Sequence, residues 1–363
     1  MSIWLETPLL YSTHISALQG ANVYLKLDNL QPSQSFKYRG ISNFIDHALR
    51  TRGPSTHFII ASSGNAGLAA ASASKVLKAR CTIFMPLSVG ERTLNFAKRE
   101  GAEVFEVDGG YSDAVKLAQE AFEKETNAVM IPAFDDPTIW EGHSSMTKEI
   151  VKQLPNKPDG IFCSVGGGGL LGGVILGCKK VGWDDVPVIA LEPHGSNCFY
   201  HTICMNTLPN YILPDGIQII HDATTNMRLA HIDTNTSRAS SLAATHTSSP
   251  IVKMVLERKG GVKCVCVPDE MSMQAAESFA EDHKFLIELA CATTISAAYK
   301  PALISHLFPN ATKPLTLVFI VDGGFKISLA EMEEYRKIVQ EDVGNGGGEW
   351  EVLCNGERWT VPK

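Results

Sequence analysis

Short apolar runs alternate with amphipathic stretches along most of this chain, and no other property restricts its fold so tightly. The runs HFIIASS, CTIFMP and AEVFEVD are followed in turn by the helical patterns NAGLAAASASKVLKA, GERTLNFAKREG and SDAVKLAQEAFEKE. Such an alternation predicts βα units around a mainly parallel sheet. It continues through AVMIP, a helix over residues 138–154, the strand GIFCSVG, a helix over residues 169–181, and the strands PVIALEP, KCVCVP and TLVFIV. So many units in 363 residues predict an α/β protein with two lobes, each a mainly parallel sheet flanked by helices.

Two segments break the rhythm. Residues 198–237 are polar, irregular and weakly periodic, and are expected to form a long surface excursion that serves as a lid or a subunit contact. In the tail, a flexible stretch from Gly344 to Gly348 precedes WEVLCNGERWTV, where Asn355-Gly356 between alternating apolar positions predicts a type I′ hairpin. A lone hairpin is marginal in water, so Trp350 and Trp359 are expected to pack on the body or on another subunit.

Composition narrows the functional classes. The net charge of −7 comes with no basic block, which argues against nucleic acid and leaves a small molecule as the default ligand. Nine cysteines, odd in number and without a CxxC pair, read as reduced thiols of a cytoplasmic protein. Glu6 and Pro8 interrupt the first apolar stretch, and no run reaches the roughly 20 apolar residues that span a bilayer.

Three segments carry chemistry. Lys37, in SQSFKYRG, sits between the strand NVYLKLDN and a helical pattern. Desolvation at such a junction lowers a lysine pKa and frees the amine for a Schiff base, although most single lysines are solvated surface charges. The loop Ser62-Ser63-Gly64-Asn65-Ala66-Gly67 opens a helix, and its amides and hydroxyls suit a carboxylate or simply cap that helix. Gly166 to Gly169, directly after a buried strand, let the backbone close around a phosphate at the start of the next helix. No Walker pattern with its Lys-Ser/Thr is present, so the phosphate is not that of a P-loop nucleotide site.

A lysine, an SSGN loop and a tetraglycine run, in that order, resemble the serine/threonine dehydratase family of pyridoxal-phosphate enzymes, which has the tryptophan synthase β-like fold (fold type II). The likeness extends from about Thr7 to about Val339, takes in Pro132 to Pro137 with Trp140-Glu141-Gly142-His143, and in detail is to the mammalian and fungal L-serine dehydratases. It implies a large cofactor-binding domain over 1–38 and 145–340, a small domain over 39–144, and a linker with hairpin over 341–363.

Carried over by position, Lys37 bonds the cofactor aldehyde, Phe36 lies against one face of its ring, and Ser241 faces the other. Asn65 meets the phenolic oxygen, and Gly166, Gly167, Gly168 and Gly169 with Leu170 hold the phosphate. The resemblance places the substrate against Ser62, Ser63, Gly64, Asn65 and Ala66, with Phe134 nearby, and counts Lys37, Ser63 and Asp322 as catalytic. Glu192 and Ser196 match a monovalent-cation (K+) site, and a homodimer is implied. Glu288 matches a segment near the active site, or is a buried glutamate at a helix start.

Asp322 departs from the family, which places Ser, Thr or Cys before the Gly-Gly that follows the last strand. A carboxylate there favours a protonated ring nitrogen and a stronger electron sink, unless Asp322 only ends the strand. The expected reaction is α,β-elimination from L-serine or L-threonine, giving a 2-oxo acid and ammonia. The alternative is racemisation, β-replacement or carbon–carbon bond formation on a small amino acid, using a carbanion that Asp322 lets live longer.

Overall fold

The computed structural model describes residues 2–363. In chain order the strands are β1 (Leu9–Tyr11), β2 (Asn22–Leu27), β3 (His57–Ala61), β4 (Arg80–Pro86), β5 (Glu103–Val107), β6 (Ala128–Met130) and β7 (Gly160–Ser164). They continue as β8 (Val188–Pro193), β9 (Ile217–Asp222), β10 (Met227–Ile232), β11 (Val262–Val267), β12 (Thr316–Val321), β13 (Glu349–Cys354) and β14 (Glu357–Pro362). One sheet has the order β1-β2-β12-β7-β8-β11-β13-β14, and its five central strands, β2 to β11, run parallel. A second, wholly parallel sheet has the order β5-β4-β3-β6. This is the α/β architecture with two mainly parallel sheets that the alternation predicts.

The central strands are apolar on both faces because helices cover both. Along β12, Val318 and Ile320 enter one core, whereas Leu317, Phe319 and Val321 enter the other. The two-residue period of the pleat thus splits one strand between two cores. The smaller sheet lies within residues 57–130, and its far face builds a third core from Ile59, Phe84, Ala114 and Ala118.

Segments leaving the carboxyl ends of these strands meet in one crevice, the usual place for a ligand in an open α/β sheet. The Lys37 loop follows β2, the SSGN loop follows β3, the Phe134 loop follows β6, the glycine run follows β7, and Asp322 follows β12. The Lys37 loop is tied to the end of β12, since Phe36 N–H donates to Asp322 O at 3.0 Å and Gly324 N–H to Gln34 O at 2.8 Å. Two sequence segments 285 residues apart (37 to 322) are thereby held face to face.

Beneath that loop lies a closed set of charges. Arg39, on the helix Lys37–Arg52, donates from Nε to Asp28 at 2.6 Å and from Nη1 to Glu149 at 2.6 Å. Lys26 Nζ meets Glu149 at 2.6 Å, and Thr7 Oγ1 donates to Asp28 at 2.7 Å. Two cations and two anions balance out of water, which anchors the first turn of the Lys37 helix against the helix Pro137–Gln153. A Cβ on Gly142 would lie 2.4 Å from Arg39 O, so these helices approach as closely as they do only because glycine is there.

The two segments that broke the rhythm need correction. Residues 198–237 are neither irregular nor wholly at the surface: they open with the helix Cys198–Thr207, whose first eight residues are buried, and continue as the antiparallel pair β9 and β10. A helix buried on all sides has no polar face, so its sequence carries no 3.6-residue rhythm. In the tail, the helix Leu329–Asn345 runs through Gly344, so the stretch free of helix begins only at Gly346. The hairpin forms with Asn355 and Gly356 at φ 48° and 91°, as a type I′ turn needs. It joins the large sheet through β11, with Trp350 buried and Trp359 stacked 5.0 Å from His306.

Candidate active site

A cavity of about 460 Å³ lies in the crevice, and every residue expected at the cofactor and substrate lines it, from Phe36 and Lys37 to Ser241 and Asp322. Glu192 and Ser196 stand outside it. Lys37 Nζ donates to Ala133 O at 2.7 Å and has no carboxylate within ion-pair distance among the described residues. Burial lowers its pKa to about 8, against the opposing pull of Asp322. The amine is therefore partly neutral near physiological pH, as an attacking or proton-accepting nitrogen requires.

Asp322 is buried and accepts from Ser164 Oγ at 2.9 Å through Oδ2. Among the described residues its Oδ1 has no hydrogen-bond partner. Burial raises its pKa to about 6, and hydrogen bonds from Cys291 and Ser164 pull the other way. A buried, unmatched carboxylate oxygen is costly, and one that lines a cavity is placed to be matched by a ligand.

The tetraglycine run has the geometry of an anion cradle. Gly168 takes φ 100°, and the helix Gly169–Lys180 starts immediately after it. Among the described residues, the backbone N–H groups of Gly167, Gly168, Gly169 and Leu170 donate to no acceptor, and they gather where the helix dipole is positive. A Cβ on Gly167 would fall 2.4 Å from the Phe134 ring, and one on Gly169 would fall 2.9 Å from Phe134 O. We therefore expect Gly167→Ala to push Phe134 and the loop apart at a cost of about 1–3 kcal/mol. Equilibrium titration with a phosphorylated cofactor should show that loss as a dissociation constant raised about tenfold or more, and unchanged affinity would remove the cradle from the site.

In the SSGN loop the two sequence readings divide between two serines. Ser62 Oγ caps the helix Asn65–Leu77, accepting from Gly64 N–H at 3.2 Å and Gly67 N–H at 2.9 Å. Ser63 is exposed to the cavity, with no hydrogen bond from its hydroxyl among the described residues. Asn65 Nδ2 donates to Glu288 Oε1 at 3.0 Å, and its Oδ1 accepts from Phe325 N–H. Glu288 also accepts from Ser241 Oγ at 2.5 Å, so this glutamate ties the loop of the small sheet to the far wall of the cavity.

Three participants were given no role by sequence reasoning: Ser164, the second member of the Asp322 pair; Ala133, whose carbonyl holds Lys37; and His143. His143 is fully enclosed behind Phe36, 4.9 Å between rings, with neither nitrogen bonded among the described residues. Burial, with the charges of Lys37 and Arg39, holds its pKa well below the usual range and keeps it neutral. Ser164 could have been suspected as the residue ending the strand before the glycine run, whereas Ala133 and His143 stand in segments that carried the family likeness without a role of their own.

Glu192 and Ser196 lie on the other side of this wall. Glu192 is buried and accepts from Phe199 and Tyr200 N–H groups at 3.0 and 2.6 Å, while Ser196 Oγ donates to Leu242 O at 2.9 Å. Burial raises the Glu192 pKa well above normal, because only neutral donors answer its charge.

A low-pKa lysine and an anion cradle in the crevice of two parallel sheets define an α/β enzyme whose amine works beside a bound phosphate group. The chain belongs to the family of pyridoxal-phosphate dependent enzymes, whose model matches residues 2–313. It is 37% identical over 334 residues to the human L-serine dehydratase/L-threonine deaminase, covering 92% of this chain and 94% of that protein. Among solved structures it resembles a fungal L-serine ammonia-lyase from Rhizomucor miehei, with a TM-score of 0.83 and 33% identity over 93% of this chain and 99% of the other. It also resembles the serine racemase of Dictyostelium discoideum, with a TM-score of 0.72 and 26% identity over 90% and 94% of the two chains. Pyridoxal phosphate fits the cavity: the glycine-lined amides suit its phosphate, Lys37 its aldehyde, and the unmatched Asp322 oxygen its ring nitrogen.

Proposed function

We propose that this chain deaminates L-serine or L-threonine to a 2-oxo acid and ammonia. The observation that carries the reading is the Lys37 amine, brought close to neutrality inside a cavity that also holds the empty-handed amides of the glycine run. When bound, the cofactor supplies an aldehyde for the substrate amine and a ring that draws off the electron pair left at the α-carbon. Gly166 to Gly169 and Leu170 would hold its phosphate, Asn65 its phenolic oxygen, and Phe36 and Ser241 its ring. Ser63 and the unengaged amides of Asn65 and Ala66 receive the substrate carboxylate, with Ser62 and Gly64 shaping the loop.

Lys37 Nζ accepts the α-proton, which requires the neutral amine. Departure of the β-hydroxyl then gives an enamine that water converts to the 2-oxo acid and ammonia. Because burial lowers the Lys37 pKa, the rate rises with pH as the ammonium form empties through about 8. Measuring 2-oxo acid release from L-serine and L-threonine across pH 6 to 10 tests this reading. Absence of product from both amino acids would sink it.

A second reading is favoured by Asp322. Above a pKa of about 6 its carboxylate is ionised and can strengthen the pull of the ring, which suits racemisation, replacement or carbon–carbon bond formation. Chiral chromatography of the amino acid left in the same assay separates the two, since inverted serine without 2-oxo acid would select the second.

The proposal includes a cytoplasmic homodimer and a monovalent cation beside Glu192 and Ser196. Nine buried free cysteines suit a reducing compartment, and Ile212 and Ile219 offer exposed apolar surface to a second copy. Among the described residues Glu192 lacks a positive partner, which a cation would supply. Light scattering checks the dimer, and replacing potassium by choline in the assay checks the ion.

A further inference from the structure

A second cavity, about 600 Å³, adjoins the first, and Ser63, Ser240, Glu288, Ala290 and Lys326 line both. Serine and threonine do not need this second space. Lys326 stands on the border. Its stem lies across Gly64, where a Cβ would be 3.0 Å from Lys326 Cε and 3.5 Å from Nζ, and Nζ donates to Ser240 Oγ at 2.9 Å. The ammonium thus hangs over the SSGN loop, from the opposite wall.

Its charge is not answered among the described residues. No carboxylate lies within ion-pair distance of Lys326 Nζ among the described residues, whereas Lys26, Arg39 and Arg238 are each paired. Glu288 is near, but its oxygens take Asn65 Nδ2, Ser241 Oγ and the backbone N–H of Lys326. In the second cavity Arg92 repeats the pattern: its guanidinium lies 5.2 Å over the Phe325 ring, Nη1 donates to Ile327 O, and among the described residues it has no carboxylate partner. Glu331 lines the same cavity and is engaged by Ser328. Two unpaired cations therefore follow one another outward from the loop expected to hold a substrate carboxylate.

We propose that Lys326 selects substrates that carry a second carboxylate on the β-carbon, so that 3-hydroxyaspartate is preferred over serine. The loop holds the α-carboxylate, Lys326 holds the β-carboxylate, and Arg92 adds positive potential beyond it. The inference rests on the elimination reading and specifies its substrate. The bonds that change are the same: the α-carbon loses its proton, the β-carbon loses hydroxide, which leaves as water, and one water returns as ammonia departs. Oxaloacetate and ammonia are formed with no change in overall oxidation state.

The test uses the full-length enzyme loaded with cofactor and compares kcat/KM for L-serine and for the isomers of 3-hydroxyaspartate, in the native chain, Lys326→Met and Lys326→Arg. Calorimetry with L-aspartate and L-alanine, neither of which has a leaving group, reads binding without turnover. We expect one 3-hydroxyaspartate isomer to exceed serine by about tenfold or more, as a charge-assisted contact allows. That ratio collapses in Lys326→Met and returns in Lys326→Arg, and the preference for aspartate binding over alanine follows it. A ratio near one in the native chain, or a Lys326→Met variant that lowers both substrates equally because the lysine holds the α-carboxylate, overturns the inference and leaves the elimination reading standing. No 2-oxo acid from any of these amino acids defeats the elimination reading itself.

Discussion

Lys37→Ala loses about 10²–10⁴-fold in turnover through removal of the proton-accepting amine alone, and more because the cofactor loses its covalent anchor. The side chain is singled out by its surroundings. Burial has brought its pKa to about 8, and Ala133 O holds Nζ in the cavity wall. Lys26 is buried too, but its ammonium is spent on Glu149 and Thr7 O. Borohydride reduction of the native enzyme followed by peptide mass spectrometry should therefore place a pyridoxyl group on residue 37. A label on another lysine, or Lys37→Ala turnover within tenfold of native, would overturn the assignment.

The second large effect is on stability. Arg39→Met keeps much of the side-chain volume but leaves Asp28 and Glu149 buried with only Lys26 to answer two negative charges. Breaking one side of such a set costs about 3–5 kcal/mol. In a chain of this length that lowers the thermal midpoint by several degrees, readable by calorimetry or circular dichroism. Since Arg39 lies two residues from Lys37, the variant should also loosen the first turn of that helix, and cofactor affinity should fall with it. A midpoint unchanged within a degree would mean that the network contributes nothing measurable.

Much of the architecture was legible because its signals are local. Runs such as HFIIA and TLVFIV are continuous and apolar, and the intervening helices keep one polar face. The division into two sheets was legible only as a count of units; which strands pair is set by contacts such as β2 with β12, nearly 300 residues apart in sequence. The helix Cys198–Thr207 was missed because burial on every side erases periodicity, and the β9 and β10 pair because its alternation is weak and β9 is largely exposed.

The site followed the same division. Lys37, the SSGN loop and the glycine run each sit next to a strand end, so their junctions could be seen, and their order pointed to a family. Partnerships across the crevice could not. Ser164 with Asp322, Glu288 with Asn65, and Lys326 over Gly64 join segments 158, 223 and 262 residues apart, as 322 − 164, 288 − 65 and 326 − 64 give, and nothing in a linear spacing encodes them.

The terminal hairpin decides which strand the large sheet shows to the outside. Without β13 and β14, the border would be β11, VKCVCV, a run of uncharged residues after one lysine whose backbone groups would invite another chain to add to it. With them the border is β14, ERWTVP, which begins with two charges and ends in a proline that cannot donate. The last eighteen residues or so thus act as a selvedge, finishing this edge so that no second copy adds a strand there.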